Sequence, residues 1–460
     1  MFSLTVGEVA AALGAPLRQG NPEQQVKAVS TDSRDLAPGA LFFALPGERY
    51  DGHRFVNDAL AGGAVGAVVS QSIPVEFPGA AIVTVPDVLA ALGGLARYVR
   101  RKAEVFLIGV TGSTGKTTTK DIISSVLGVR YRVLATQGNL NNEIGVPLTL
   151  LGLEPHHRVA VIEMAMRGAG EIAALARIAS PDAAVITNIG ETHLERLGSV
   201  KAIAQAKGEI LDYVPSEGFA VLHNESPFIR EEAGRCRGRV IFFGTGEGAV
   251  LRLVDYTPVD GGSRFKVDPD DGGDYHVSAP GRHNALNAVA AIAVARELGM
   301  VPQEIRQGLR QVRLSGMRLE IKECGSLTVI NDAYNANPAS MLAAFTVLNE
   351  VAKNRRRVGI LGNMLELGER AAEAHRDVGK AAAGCMDVLV AVGDLAQGII
   401  EGAVTAGFPS GKAFACDDSL MVGPVLKKIL RGNEVILVKA SRGMHLEAVV
   451  DALCAGGEAL

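Results

Sequence analysis

Val110-Thr111-Gly112-Ser113-Thr114-Gly115-Lys116-Thr117-Thr118-Thr119 is the stretch on which the reading of this chain turns. The apolar run Val105 to Val110 before it reads as a buried parallel strand, and Asp121 to Leu127 after it carries helical spacing. A strand, a glycine turn and a helix start together aim backbone N–H groups and the positive helix end at phosphate oxygens. Gly112 and Gly115 allow close backbone approach, Lys116 supplies a point charge, and the Thr117 hydroxyl can ligate Mg²⁺. Ser113, Thr114 and Thr118 complete the expected set of phosphate contacts. The first glycine of the general GxxxxGK[ST] pattern would fall at position 110, where this chain has Val, so the loop is the shortened form TGxxGKT. The pattern implies a nucleoside triphosphate ligand.

Working outward, the alternation of apolar runs and helical stretches divides the 460 residues into three α/β segments. Residues 1–100 contain the runs Leu41 to Leu45, Ala64 to Val69 and Ala81 to Val85, a small α/β unit opened by a capping box at Thr5 and Glu8. Residues 101–313 alternate strands with helices around the phosphate loop, at Tyr131 to Thr136, Arg158 to Met164, Ala183 to Asn188 and Phe219 to Leu222. That order predicts a mostly parallel sheet with helices on both faces. The glycine-rich stretch Asp255 to Asp274 predicts strands and turns, and Ala285 to Leu298 a closing helix. Residues 314–460 repeat the alternation at Leu327 to Asn331, Val358 to Leu361, Val388 to Val392 and Val435 to Lys439, a Rossmann-like sheet without a GxGxxG opening.

Composition narrows the partners. Net charge is −4 and no basic block occurs, which argues against nucleic acid as the main partner. No apolar run approaches the roughly 18 residues needed to span a bilayer, so membrane insertion is not expected. The five cysteines are scattered without a CxxC pair, and are expected to be reduced thiols of a cytoplasmic protein.

Further chemistry-bearing residues fall where α/β sheets place their sites, beyond strand C-terminal ends. Glu163 ends one apolar run and is well placed to share a magnesium ion with Thr117. His193 follows the run Ile186 to Ile189, and Lys207 lies on a helical stretch soon after. Taken alone, the histidine is as readily structural as functional, and the lysine reads as a solvated helix residue, which spacing by itself does not overturn.

The ordered blocks TGSTGKTTTK, TQGNLNNEIGVPLTLL (136–151), IEMAMRGAGEI (162–172), ITNIGETHLERLGS (186–199) and AKGEI (206–210) resemble the Mur ligases of peptidoglycan synthesis. The likeness continues through PGRHNALNAVAA (280–291), LSGMRLEI (314–321), NDAYNANPASM (331–341), LGNMLELGE (361–369) and KASRGMHLE (439–447), and the first segment fits with STDSRDLAPGALFFALPGERYDGHRF (30–55). It implies an ATP-dependent amide ligase working through an acyl phosphate, with UDP-N-acetylmuramoyl-tripeptide as donor and D-alanyl-D-alanine as acceptor. It also implies catalytic roles for Lys116, Lys207 and His193, and a first Mg²⁺ on Thr117 and Glu163. A second Mg²⁺ would sit on Glu163, His193 and a carbamate formed on Lys207. Asn287 would meet adenine, Arg318 the triphosphate and Asp332 the ribose; Ser33 and Arg34 would meet the uridine diphosphate, and Asn335 and the 439–445 stretch the incoming dipeptide. The protein would be a monomer. The alternatives are another Mur-type or folylpolyglutamate-type ligase, or an inactive nucleotide-binding regulator. Three residues depart from the family pattern: Ala165 and Ala440 stand at usual glycine positions, and Asn363 at a usual aspartate.

Overall fold

The computed structural model describes residues 2–47, 50–192, 194–269 and 271–455. Among these the chain forms a five-stranded, a nine-stranded and a six-stranded sheet, plus a two-stranded ribbon of Leu4–Thr5 with Gln25–Val26. The nine-stranded sheet carries the phosphate loop. Its parallel strands Phe106–Thr111, Val159–Glu163, Ala183–Ile186 and Phe219–His223 are almost entirely buried. Burial on both faces is why they read as continuous apolar runs rather than alternating ones. At one edge the sheet turns antiparallel through Leu251–Val259, Gly262–Asp268 and Tyr275–Val277, the glycine-rich stretch of the sequence.

One face of the five-stranded sheet has its own apolar cluster around Phe42, Val56 and Ile82, while the other face shares its core with the middle unit. The helix Val88–Lys102 runs almost directly into the strand at Phe106, and its residues Leu92, Leu95 and Val99 belong to an apolar cluster continuous from Leu4 to Ile229. Arg100 reinforces the junction, donating to the Ala179 carbonyl at 2.9 Å and pairing with Asp182 at 2.8 Å. The six-stranded sheet is different, because its two faces are covered by clusters made only of residues beyond 318. It joins the middle unit largely through polar contacts. Ser315 N and Oγ donate to Asp121 at 2.8 and 3.1 Å, Tyr256 Oη donates to Glu350 at 2.8 Å, and Lys353 pairs with Asp260 at 2.8 Å.

Several expectations need correction. The helix after the phosphate loop starts at Lys116, not Asp121; its threonines are poor helix formers, but Thr117, Thr118 and Thr119 are buried there and tertiary packing overrides propensity. The strands Leu17–Gln19, Ala28–Ser30, Glu320–Cys324 and Ala413–Cys416 were not legible as apolar runs, being short, polar or at sheet edges, whereas Arg239–Gly244, an interior strand with the apolar run Val240 to Phe243, was overlooked. The cysteines are not all free thiols: Cys324 and Cys454, 130 residues apart, form a disulfide with Cα atoms 4.5 Å apart. No local spacing could announce that pair, since it exists only because the helix Glu447–Cys454 packs on the strands Glu320–Cys324 and Leu327–Asp332. Cys236, Cys385 and Cys416 are free. The capping box is present, with Thr5 N donating to Glu8 at 2.8 Å and Glu8 N to Thr5 Oγ1 at 3.1 Å.

Candidate active site

Gly115 is the N-cap of the helix Lys116–Leu127 and provides no side-chain cap, so the first N–H groups of that helix are left for a ligand. It adopts φ +75°, and Gly112 adopts φ +150° with no room for a methyl beside the Thr187 hydroxyl. The loop is tied to the end of the neighbouring strand. Ser113 N donates to the Asn188 carbonyl at 3.0 Å, Thr114 N to Asn188 Oδ1 at 2.8 Å, and Asn188 Nδ2 to Thr114 Oγ1 at 2.6 Å. Ser113 Oγ donates to the Gly190 carbonyl at 3.0 Å. Lys116 Nζ folds back onto the Gly112 carbonyl at 3.0 Å. Burial, with Arg318 nearby, pushes the Lys116 ammonium below its ordinary pKa, and Glu163 partly offsets this.

Glu163, buried at the end of its strand, accepts the Thr117 hydroxyl at 2.7 Å on one oxygen and Asn141 Nδ2 at 2.8 Å on the other. Its own N–H donates to Thr136 Oγ1 at 2.9 Å. A carboxylate and a hydroxyl side by side are a hard-oxygen donor set, which fits magnesium. Among the described residues no group of three or more His, Cys, Asp or Glu converges as a metal cage. A magnesium ion here would therefore complete its shell with phosphate oxygens and water, its usual habit.

This pair opens onto a cavity of about 790 Å³ between the middle and third units. Arg318, Asp332 and Asn335 face it from the third unit, Asn287 from the helix Arg282–Glu297. Arg318 stacks over the Tyr334 ring with its guanidinium carbon 4.0 Å from the centroid, which orients the cation without neutralising it. Asp332 accepts Leu319 N at 3.1 Å and the buried Lys439 ammonium at 2.6 Å, and Lys439 also donates to the Asn335 carbonyl at 2.8 Å.

Other expected residues lie elsewhere. Lys207 is buried near Lys116 but is not on the cavity wall; burial, with the Lys116 charge, holds its amine well below the ordinary lysine pKa. His193 lies outside the described residues. Ser33 and Arg34 occupy an exposed turn away from the cavity, where Arg34 pairs with Asp32 at 2.7 Å and holds that carboxyl down at about 2.

Asn141, Thr136, Asn188, His283 and Tyr334 carry no role in the sequence reading, although each lies in one of the ordered family blocks, and Lys439 enters it only as the start of the 439–445 stretch. An asparagine or threonine just beyond a strand end, in a chain with a phosphate loop, was the available signal. The departures also find their places. Ala165 and Ala440 do not adopt positive φ, so neither position demands glycine. Asn363 is buried, gives its amide to Asp394 and accepts Leu395 N at 3.2 Å. An aspartate there would set two carboxylates against each other.

A nucleotide-binding protein built from three α/β units is the class that this fold and cavity define. The Mur ligase middle domain matches residues 110–295, the Mur ligase glutamate ligase domain 317–442, and the Mur ligase family catalytic domain 25–100; the chain belongs to the Mur ligase family. It is 38% identical over 453 residues, 98% of each chain, to the UDP-N-acetylmuramoyl-tripeptide–D-alanyl-D-alanine ligase of Bacillus subtilis. MurF from Acinetobacter baumannii superposes with a TM-score of 0.89 at 33% identity, covering 98% of this chain and 99% of that one. MurF ligase from Thermotoga maritima in complex with ADP superposes with a TM-score of 0.82 at 29% identity, covering 94% and 98%.

Proposed function

We propose that this protein joins D-alanyl-D-alanine to UDP-N-acetylmuramoyl-tripeptide, using ATP to activate the terminal carboxylate of the tripeptide. End-to-end likeness in sequence to the Bacillus subtilis ligase that acts on this pair, and in structure to MurF, supports the substrate pair. The observation that carries the chemistry is the cavity in which the phosphate loop and the Thr117–Glu163 pair face Arg318 and Asp332.

Amide formation from a carboxylate and an amine is uphill in water, so a leaving group must be installed first. The donor carboxylate oxygen attacks the γ-phosphorus of ATP, ADP leaves, and an acyl phosphate forms. The dipeptide amine then attacks the acyl carbon, loses a proton, and phosphate departs. The difficulty is bringing two anions together, and this chain meets it with Lys116, the Arg318 guanidinium and the N–H groups at the start of the helix Lys116–Leu127. Magnesium, held by Thr117 and Glu163, would supply further charge neutralisation. Asn287 and Asp332 would hold the nucleoside, Ser33 and Arg34 the uridine diphosphate, and Asn335 the dipeptide. Because the first and middle units share an apolar core while the third joins by polar contacts, closure is assigned to the third unit.

A carbamate on Lys207 belongs to the same proposal. Its buried amine is biased toward the neutral form that captures CO₂. The product is an anion, which replaces the repulsion between Lys207 and Lys116 with attraction; with His193 and Glu163 it would hold a second magnesium ion. The protein is taken to act as a monomer in the cytoplasm; among the described residues no helix is long and apolar enough to cross a membrane.

Phosphate release measured with and without each substrate tests the function. Release is expected only when the UDP-tripeptide and the dipeptide are both present. Release that is indifferent to the dipeptide would reject the ligase reading in favour of a nucleotide-dependent regulator.

A further inference from the structure

His223 ends the strand Phe219–His223 and lines the nucleotide cavity, yet its two ring nitrogens are engaged by the protein itself. Nε2 lies 3.1 Å from Glu225 Oε2, and Nδ1 lies 2.8 Å from Ser226 Oγ. The Phe243 ring covers one side at a centroid distance of 5.3 Å. Glu225 is fixed in turn by Thr245 N and Gly246 N, and by the Thr245 hydroxyl at 3.2 Å. Gly244 admits this, since any side chain there would overlap the Glu225 carboxylate.

The direction of the hydrogen bonds follows from the partners. A carboxylate beside Nε2 can only accept, so a neutral His223 carries its proton on Nε2 and Nδ1 is left as an acceptor. Ser226 therefore donates to Nδ1, and its oxygen accepts the buried Ile189 N–H at 3.0 Å. Ile189 follows Asn188, the residue that holds both Ser113 and Thr114 of the phosphate loop. A chain of hydrogen bonds, with one covalent step from Ile189 to Asn188, thus runs from Thr245 and Gly246 through Glu225, His223 and Ser226 to the phosphate loop.

We propose that His223, fixed by Glu225 and Ser226, is a positioning residue that holds the phosphate loop in its nucleotide-binding shape. The inference rests on the nucleotide reading of the cavity, but not on the identity of the donor or acceptor. Burial holds the His223 pKa below its ordinary value despite the facing Glu225, consistent with a neutral ring that accepts from Ser226. With both nitrogens occupied, His223 offers the ligand only its ring surface. It acts on the phosphates through the loop.

Calorimetric titration of the full chain with magnesium and a non-hydrolysable ATP analogue tests this. His223→Ala and Ser226→Ala should each weaken binding about tenfold, and the double variant should be no weaker than either single one, because each breaks the same chain. His223→Asn, whose amide oxygen can stand in for Nδ1, should stay within about threefold of the parent. The KM for the dipeptide should not change. Should His223→Ala fail to fold, Ser226→Ala and His223→Asn carry the same comparison. Single variants that bind as the parent does, losses that multiply in the double variant, or failure of asparagine to rescue would each overturn the relay. A parent that binds no nucleotide would sink the functional reading and the relay together, whereas a binding parent with unaffected variants sinks the relay alone.

Discussion

Thr117, in the first turn of the helix Lys116–Leu127, donates its hydroxyl to Glu163 at 2.7 Å, and this contact joins the end of the phosphate loop to the carboxylate of the neighbouring strand end. The two are 46 residues apart and meet because Glu163 is in register with Val110, the last strand residue but one before the loop. Both side chains are buried, so the pair is held rigidly and presents oxygen toward the cavity.

Lys116→Ala should leave the fold intact and reduce turnover by at least about a hundredfold, since it removes the side-chain cation of the loop that faces the migrating phosphate. Steady-state rates and a thermal melt check this. A loss below about tenfold, roughly 1.4 kcal/mol, would exclude the assigned role.

Asn141→Ala strips one hydrogen bond from Glu163 Oε1 while leaving the Thr117 contact. The carboxylate then lacks its orienting partner, and the magnesium concentration giving half-maximal activity should rise several-fold. An unchanged magnesium titration would show that Asn141 does not orient Glu163.

For Lys207 the two candidate charges predict opposite rescues. If the side chain works as a carbamate, activity of Lys207→Ala should recover in part with short carboxylic acids. If it works as a cation, small amines should restore it. Recovery with amines alone excludes the carbamate.

His283 gives a pH prediction. Burial, with Lys439 nearby, pushes its pKa down from 6.5 to about 4. Between those values the unfolded chain binds more protons than the native one, so stability rises with pH. The full contribution is present above 6.5 and is lost as pH falls toward 4. His283→Asn should flatten the decline of Tm across that window; an equally steep decline would reject the assignment.

Asn363→Asp should destabilise the protein by up to about 1 kcal/mol at neutral pH, because it sets a second carboxylate, itself buried, against the solvent-exposed Asp394. The new pair raises a carboxyl pKa in the folded state, so the deficit should shrink as the solution is acidified toward pH 4. Melts at both pH values decide it; a deficit that grows on acidification would contradict the assigned repulsion.

What the amino-acid order determined by itself was local and periodic. The phosphate loop was legible because glycines, lysine and threonine at fixed spacing between a buried strand and a helix leave few other physical uses. The parallel strands were legible because burial on both faces writes an unbroken apolar run, and Glu163 because it ends one of them. Only the tertiary structure decided which side chains meet. Asn141 reaches Glu163, Asn188 straps Thr114, Arg318 rests on Tyr334 and Lys439 clamps Asp332 across sheet neighbours or turns that no spacing rule connects. It likewise paired Cys324 with Cys454 and left Lys207 behind the cavity wall. Strand order sets these contacts, and strand order follows from how apolar faces of distant segments pack together, a property of the whole chain rather than of any stretch within it.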